Sequence, residues 1–358
     1  MRISTKTLAF LLVMLTFLCW GGSGNSYAQL DSDTTEADLT KKFNDIKAKA
    51  EKGDINTQCW LAICYDLGLY GCKIDKPQAK ELFQKVAKHA DENLPAVQFS
   101  KGFCVTDAIE AEEWFRKAAN QGFAPAQTAI GHYYLSGKGL IVRDYTEAEK
   151  WFRKAAEQGY AGAQFNLGVF YFNKAIPVQY VWDKMTPEEL IKLQTNFFTT
   201  AKVDIKKFEE AMKWLRMAAE QGHAEARDYL AQCYIYTKDY EKTIMWWQKA
   251  AKQGYAEAMY NIGVAYNYGQ MGLPQSFREA AKWYRMTLAA DQEFDEAKFN
   301  LAACLHNMGG DQNDKEAVKL FRWLAKNGKA KINTTVNLKE ESKKILSQIF
   351  GIRTMIYD

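Results

Sequence analysis

The chain has 358 residues, 47% hydrophobic and 25% charged, an ordinary folded composition that excludes a wholly disordered polymer. Its formal net charge of +4 gives no basic excess of the kind that marks a nucleic-acid partner. No apolar run after the first twenty residues approaches the roughly 20 residues a spanning helix needs, so no integral membrane segment is expected there.

The amino terminus, MRISTKTLAFLLVMLTFLCWGGSGNSYAQ, begins with Arg2 and Lys6, runs apolar from Leu8 to Trp20, and closes on Ser26, Tyr27 and Ala28. That order is the architecture of a secretory signal, with cleavage expected after Ala28. The apolar run of 13 residues is short for a membrane anchor, and Leu18 before Cys19 is too large for a lipoprotein signal. Removing residues 1–28 takes away two bases and no acid and leaves +2. The expectation is an exported protein, periplasmic or secreted, with a flexible segment at 29–37.

From residue 38 one motif recurs. WFRKAANQGFAPAQTAIGHYY at 114–134 returns as WFRKAAEQGYAGAQFNLGVFY at 151–171. Taking Gly159 as an anchor, equivalents stand at Gly53, Gly122, Gly222, Gly254 and Gly328, with Ala90 and Asp291 in weaker copies. A repeat of 32–37 residues is one pair of helices. Fifteen residues before each anchor stand Asp38, Asp75, Asp107, Asp144, Lys207, Asp239, Ser276 and Asn313, and the seven other than Lys207 can accept hydrogen bonds from a starting helix, so the position is read as the N-cap of the first helix. In five of these copies a capping residue is followed three residues later by Glu or Gln, the pattern of a capping box. The glycine beyond the last turn stops that helix, and where it is absent the next helix is expected two or three residues late.

Alanine pairs such as Ala118-Ala119 and Ala155-Ala156 allow close helix approach, with Trp114, Trp151, Trp214, Trp246 and Trp283 beside them. The second helix repeats a small residue, then Leu or Ile, then Gly or Ala, as in Ala163, Leu167 and Gly168, which places them on one packed face. The predicted fold is all-α, a right-handed α-solenoid of stacked antiparallel helix pairs over 38–328.

AEQGYAGAQFNLGVFY, a glycine loop and a D-x-x-E-A-x-x-W-x-x-x-A-A helix resemble the signature of Sel1-like repeats, relatives of tetratricopeptide repeats. The resemblance implies a helical superhelix that binds proteins or peptides, and includes exported immunity proteins. The copy between Ala90 and Cys104 departs from the signature most.

One anchor interval of 63 residues is too long by about a helix, which marks an insertion at about 174–206. Thr186, Pro187 and Glu189 there form a helix start, and 187–200 is read as an inserted helix. After Gly328, residues 329–358 carry Leu338, Ile345, Leu346 and Ile349 on one side, a capping helix and tail that cover the last apolar face.

Six cysteines follow the signal: Cys59, Cys64, Cys72, Cys104, Cys233 and Cys304. An even number in an exported chain suggests disulfides. Cys64, Cys104, Cys233 and Cys304 share one repeat position, and stacked equivalents lie about 8–10 Å apart, beyond disulfide reach. They are read as small buried hydrophobes, and Cys64–Cys72 remains the one candidate bridge. His89, His132, His223 and His306 occupy four different positions without ligand partners at metal spacing, so neither a metal nor a cofactor is expected.

No HExxH, CxxC, SxxK or GxSxG occurs after the signal. The expected function is therefore a non-catalytic scaffold, a monomer, binding a protein or peptide on its concave face as an adaptor or an immunity protein. The alternative, implied by the cysteine-rich Sel1-like relatives, is a cell-envelope hydrolase of β-lactams or peptidoglycan; their cysteine slots hold Ala119 and Ala163 here. Candidate partner-binding positions lie opposite the packed face of the second helices: Thr128 and His132, Phe165 and Val169, Asp228 and Gln232, Tyr260 and Val264, and Phe299. Trp182, Phe197 and Phe198 of the insertion join them.

Overall fold

The computed structural model describes residues 35–175, 204–328, 340 and 342–346. The described residues form two compact units, one of 35–175 and 204–230, the other of 231–328 with 340 and 342–346. The signal, residues 176–203 of the insertion and its 187–200 helix lie outside the described residues.

The described elements are helices in antiparallel pairs. They are α1 (Glu36–Glu51) with α2 (Ile55–Leu67), α3 (Lys76–Ala87) with α4 (Pro95–Cys104), α5 (Ala108–Asn120) with α6 (Ala124–Ser136), and α7 (Tyr145–Glu157) with α8 (Ala161–Ala175). There follow α9 (Ile205–Glu220) with α10 (Ala224–Tyr236), α11 (Tyr240–Lys252) with α12 (Ala256–Tyr268), α13 (Phe277–Ala290) with α14 (Asp295–Met308), and α15 (Asp311–Asn327). None is long and apolar enough to cross a membrane.

Helix starts follow the caps at five sites. Asp75, Asp107, Asp144, Asp239 and Ser276 each accept a hydrogen bond from a free backbone N–H of the first turn. At the other three expected caps the helix begins one turn earlier. Thr35 caps α1 and Asp38 closes a reciprocal capping box with it; Asp204, not Lys207, caps α9; and Gly310, not Asn313, precedes α15. The first helix thus extends into the segment 29–37 that was expected to be flexible. The helices stop as expected at Gly53, Gly122, Gly159, Gly222 and Gly254, all left-handed, whereas Gly328 is extended at φ −56°.

The core of the first unit is built from Ala118, Ala155, Ala218 and Ala219 between helices, with Ile130, Leu167, Leu215 and Leu230 buried beside them. The small residue of each second helix receives a large one from the following first helix. A Cβ on Gly131 would stand 2.6 Å from the Phe152 ring, and one on Gly168 would stand 2.7 Å from Leu215. Burying such a side chain contributes about 1.5–3 kcal/mol. Tyr284, Leu301, Leu305 and Phe321 fill the equivalent core of the second unit, where Leu346, on the short helical stretch at 342–346, is also buried.

A second, polar pattern runs through the first unit. The glutamine before each anchor donates its amide to a glutamine one pair earlier: Gln121 to Gln98 at 2.8 Å, Gln158 to Gln127 at 2.7 Å, and Gln221 to Gln164 at 2.8 Å. Gln58, Gln127 and Gln164 each donate in turn to the carbonyl eight residues back, at Ala50, Ala119 and Ala156. The bonds to Ala50, Ala119 and Ala156 give a second donor to carbonyls of the last helical turn that already accept the N–H of the anchor glycine.

Candidate binding site: paired glutamate, arginine and tyrosine triads

Two first helices carry a glutamate five residues after the cap and an arginine four residues beyond it, one turn apart on the same face. On α5 these are Glu112 and Arg116, and Arg116 Nη2 lies 2.6 Å from Glu112 Oε1. Glu112 is buried, and its second oxygen accepts the backbone N–H of Leu140 at 2.9 Å. The hydrogen bond that Arg116 donates to Glu112, with a smaller contribution from Tyr134, holds the guanidinium above its ordinary pKa. The carboxylate therefore pins the loop 137–144 that links α6 to α7.

Pinning leaves an uneven loop. Ile141 turns into the core, while Leu140 and Val142 on either side are 73% and 84% exposed. A cleft of 430 Å³ lies between Arg116, Tyr134 and residues 140–144 of the loop. Its lining combines branched aliphatic groups with the guanidinium groups of Arg116 and Arg143 and the carboxylates of Glu112 and Asp144.

The second triad is Glu149, Arg153 and Tyr171 on α7 and α8. Tyr171 donates to Glu149, Arg153 contacts both, and Lys174 Nζ lies 3.1 Å from Glu149 Oε2. Burial acts to raise the Glu149 carboxyl, but the hydrogen bonds from Tyr171 and Lys174 outweigh it and hold the group below its ordinary value. Burial and the same carboxylate push Tyr171 up to about 12. Lys174 thus occupies the carboxylate oxygen that the loop backbone takes in the first triad. The same register on other first helices holds Lys80, Met212, Ile244 and Ala281, so the device belongs to two copies.

The Sel1 repeat pattern matches residues 56–91, 98–123, 124–160, 161–173, 202–223, 225–255, 256–292 and 295–329. The chain belongs to the Sel1 repeat family. The matched Sel1 repeats are broken between 173 and 202, where the long anchor interval lies. A curated relative, chitin synthase regulatory factor 3 of Schizosaccharomyces pombe, is 32% identical over 111 residues, covering 29% of this chain and 12% of the relative. The match thus spans about an eighth of that protein. Among solved structures, a Sel1 repeat protein from Oxalobacter formigenes aligns at TM-score 0.49 and 23% identity, covering 74% of this chain and 96% of the other. The APC/C hetero-tetramer Cut9-Hcn1 aligns at TM-score 0.50 and 13% identity, covering 86% and 53%, a likeness of fold.

Within this Sel1 repeat frame the expected partner-binding positions largely face inward. Thr128, Phe165 and Asp228 are buried in the first unit, and Tyr260 and Val264 in the second. Thr128 Oγ1 donates to the Ala124 carbonyl, and Phe165 stacks at 4.7 Å on His223. The reason is an aromatic step between pairs. The ring six residues past one anchor meets the ring that follows the next, as Phe165 meets His223 and Tyr260 meets Phe294 at 5.0 Å. Phe299 is half-buried and edge-on to Phe321, Val169 and Gln232 are half-buried, and His132 is exposed beside the Phe152 ring. Trp182, Phe197 and Phe198 lie outside the described residues.

The Cys64–Cys72 bridge is absent. All six described cysteines are free, and Cys72 Sγ donates to the Cys64 carbonyl at 3.1 Å, so its sulfur faces the helix backbone. Burial pushes the Cys72 thiol up to about 12 and raises Cys64 further, which keeps both protonated. Cys104, read as a buried hydrophobe, is exposed, because α4 ends there in the copy with the long turn. Among the described residues no group of three or more His, Cys, Asp or Glu is disposed to hold a metal ion. The triads and the glutamine ladder were missed in the sequence; the shared E-x-x-x-R spacing on α5 and α7 was the available signal.

Proposed function

We propose that this chain is a non-catalytic scaffold that binds a protein or peptide, and that the loop 137–144 with the adjoining cleft carries part of that contact. The observation behind this reading is the exposure of Leu140 and Val142 on a loop that Glu112 holds in place, beside Arg116 and Arg143. Exposed aliphatic groups on a rigid support lose little entropy on binding and suit an apolar anchor, and the guanidinium groups suit a carboxylate beside it. A partner segment with an apolar side chain next to an acidic one fits this chemistry. We further propose export after removal of residues 1–28, which places an adaptor or an immunity-type inhibitor outside the cytoplasm.

The experiment is capture from an envelope extract with the wild-type chain and with a Leu140→Asp, Val142→Asp variant. A protein retained by the wild type and lost with the variant supports the site. Equal retention by both overturns the loop assignment, and retention by neither across crosslinking conditions overturns the scaffold reading. The mass of the exported chain tests cleavage after Ala28.

A further inference from the structure

The first helices of the second unit carry a basic face that those of the first unit lack. At 243–252, 280–290 and 317–327, from the eleventh residue before each anchor onward, α11, α13 and α15 hold no Asp or Glu and seven bases, two on α11, two on α13 and three on α15. Six of the seven are exposed. Bases late in a helix complement its dipole, which by itself is an ordinary preference. The same stretch of every first helix in the first unit nevertheless contains one acid or more, from Asp45 on α1 to Glu220 on α9. The dipole is common to both units, so it does not account for the difference.

Apolar side chains share that face. Among the described residues, the exposed large hydrophobic side chains of the second unit are Met245, Met286 and Trp323, one on each of the same three helices. Each has a lysine one turn away: Met245 has Lys249, Met286 has Lys282, and Trp323 has Lys319. Met286 and Trp323 stand in the same repeat register, and Arg285 ties their helices together through Glu316 at 2.9 Å. Trp323 is 41% exposed yet held in place, because the ammonium of buried Lys298 lies 3.8 Å from its ring centroid and is itself paired with Asp295 at 2.8 Å.

We propose that this face of the second unit docks on an anionic lipid surface. Charge complementarity calls for an anionic partner, and the kind of base decides which one. Interfaces between proteins are depleted in lysine, whereas five of these seven bases are lysines. A lysine stem lies along apolar groups while its ammonium reaches a phosphate, and an indole settles at the boundary between headgroups and acyl chains. A bilayer also needs no pocket and no matched spacing, which suits basic and apolar groups spread over three helices. Docking of this kind rests the chain on the membrane and asks for no spanning helix.

The test is flotation of the full chain with vesicles of phosphatidylcholine alone and of phosphatidylcholine with about 30% phosphatidylglycerol. The wild type should prefer the anionic vesicles and lose that preference at about 1 M salt. Each lysine at such a surface contributes about fivefold, so Lys282→Gln, Lys319→Gln and Lys326→Gln together should weaken anionic binding about hundredfold. Trp323→Ala should weaken it about tenfold. The four positions are exposed, and circular dichroism should show unchanged helix content. Equal binding to both vesicle types overturns the proposal. So does anionic binding that the triple variant keeps, which would assign adhesion to the apolar run from Leu8 to Trp20 that every variant shares. Retention on immobilised polyglutamate without binding to either vesicle overturns it in favour of an acidic protein.

Discussion

Arg227 and Glu36 are 191 residues apart and form a 2.9 Å ion pair in which only the carboxylate meets solvent. The guanidinium does two jobs, because its Nε also donates to the Ala219 carbonyl at 3.1 Å. Burial lowers the Arg227 pKa, and the Glu36 carboxylate opposes that shift, so the pair offsets part of the cost of burying the guanidinium charge. Replacing Arg227 by Ala leaves both the Ala219 carbonyl and Glu36 without it. The expected cost is about 2–4 kcal/mol in denaturant unfolding, and Arg227→Gln should recover about 1 kcal/mol of it through the Ala219 bond. Equal stability of the Ala and Gln variants would show that the ladder bond contributes nothing.

His223 is buried against Phe165, accepts the Ala226 N–H on Nδ1, and carries its own hydrogen on Nε2 with no acceptor. Burial, with Lys76 and Arg227 nearby, pushes its pKa down to about 3. A histidine whose folded value lies below its unfolded one leaves stability intact above about pH 6.5 and removes it as pH falls toward the folded value, by up to about 1.4 kcal/mol per unit. His223→Phe, the residue found at the corresponding Phe123, should flatten the melting temperature between pH 6 and 4. It should also raise stability at pH 7 by about 1 kcal/mol, since the orphaned N–H disappears. An unchanged acid slope in the variant would place the titration elsewhere.

Gln58 Oε1 is buried without a hydrogen-bond partner, and the ladder explains it. In every later step that oxygen accepts from the glutamine just before the next anchor; here that place is held by His89, whose Nδ1 instead accepts the Asp91 N–H. His89→Gln should complete the missing rung and raise stability by about 1 kcal/mol in thermal unfolding. His89→Ala serves as the control, and a gain of the same size in both would mean that loss of the imidazole, not the new bond, is responsible.

The six described cysteines are expected to titrate as free thiols in denaturant. In the native protein Cys104 should react first, as the exposed member, with Cys59, Cys64, Cys72, Cys233 and Cys304 slow because burial raises each thiol. Mass spectrometry after brief alkylation reads the order directly, and a chain lacking two reactive thiols in denaturant would restore the disulfide.

How far the sequence carries can be judged from particular residues. Asp75, Asp107, Asp144, Asp239 and Ser276 cap the helices they were expected to cap, because capping is local chemistry within one turn. Asp38, Lys207 and Asn313 failed because a cap three residues upstream, or a glycine, let the helix gain a turn. Phe165 and Tyr260 were read as an open face because periodicity within one helix is blind to the next pair, whose ring closes over them. Cys72 failed for a similar reason: loop direction around left-handed Tyr70 turns its sulfur toward a carbonyl. Only the arginine in a glutamine register hinted at the contact with Glu36, and a lone exception in a repeat does not disclose its partner.

The glutamine ladder has a direction, since each rung donates backward to the previous pair and offers an acceptor forward to the next. A duplicated pair that brings one donor and one acceptor can be spliced into such a ladder without leaving an unmet group, which makes the ladder indifferent to copy number. Arg227 has only donors, so the series ends there, and its grip on Glu36 holds only for one spacing between the first pair and the fifth. A chain built from a part that tolerates any count therefore contains, in one ion pair, a gauge that accepts a single count.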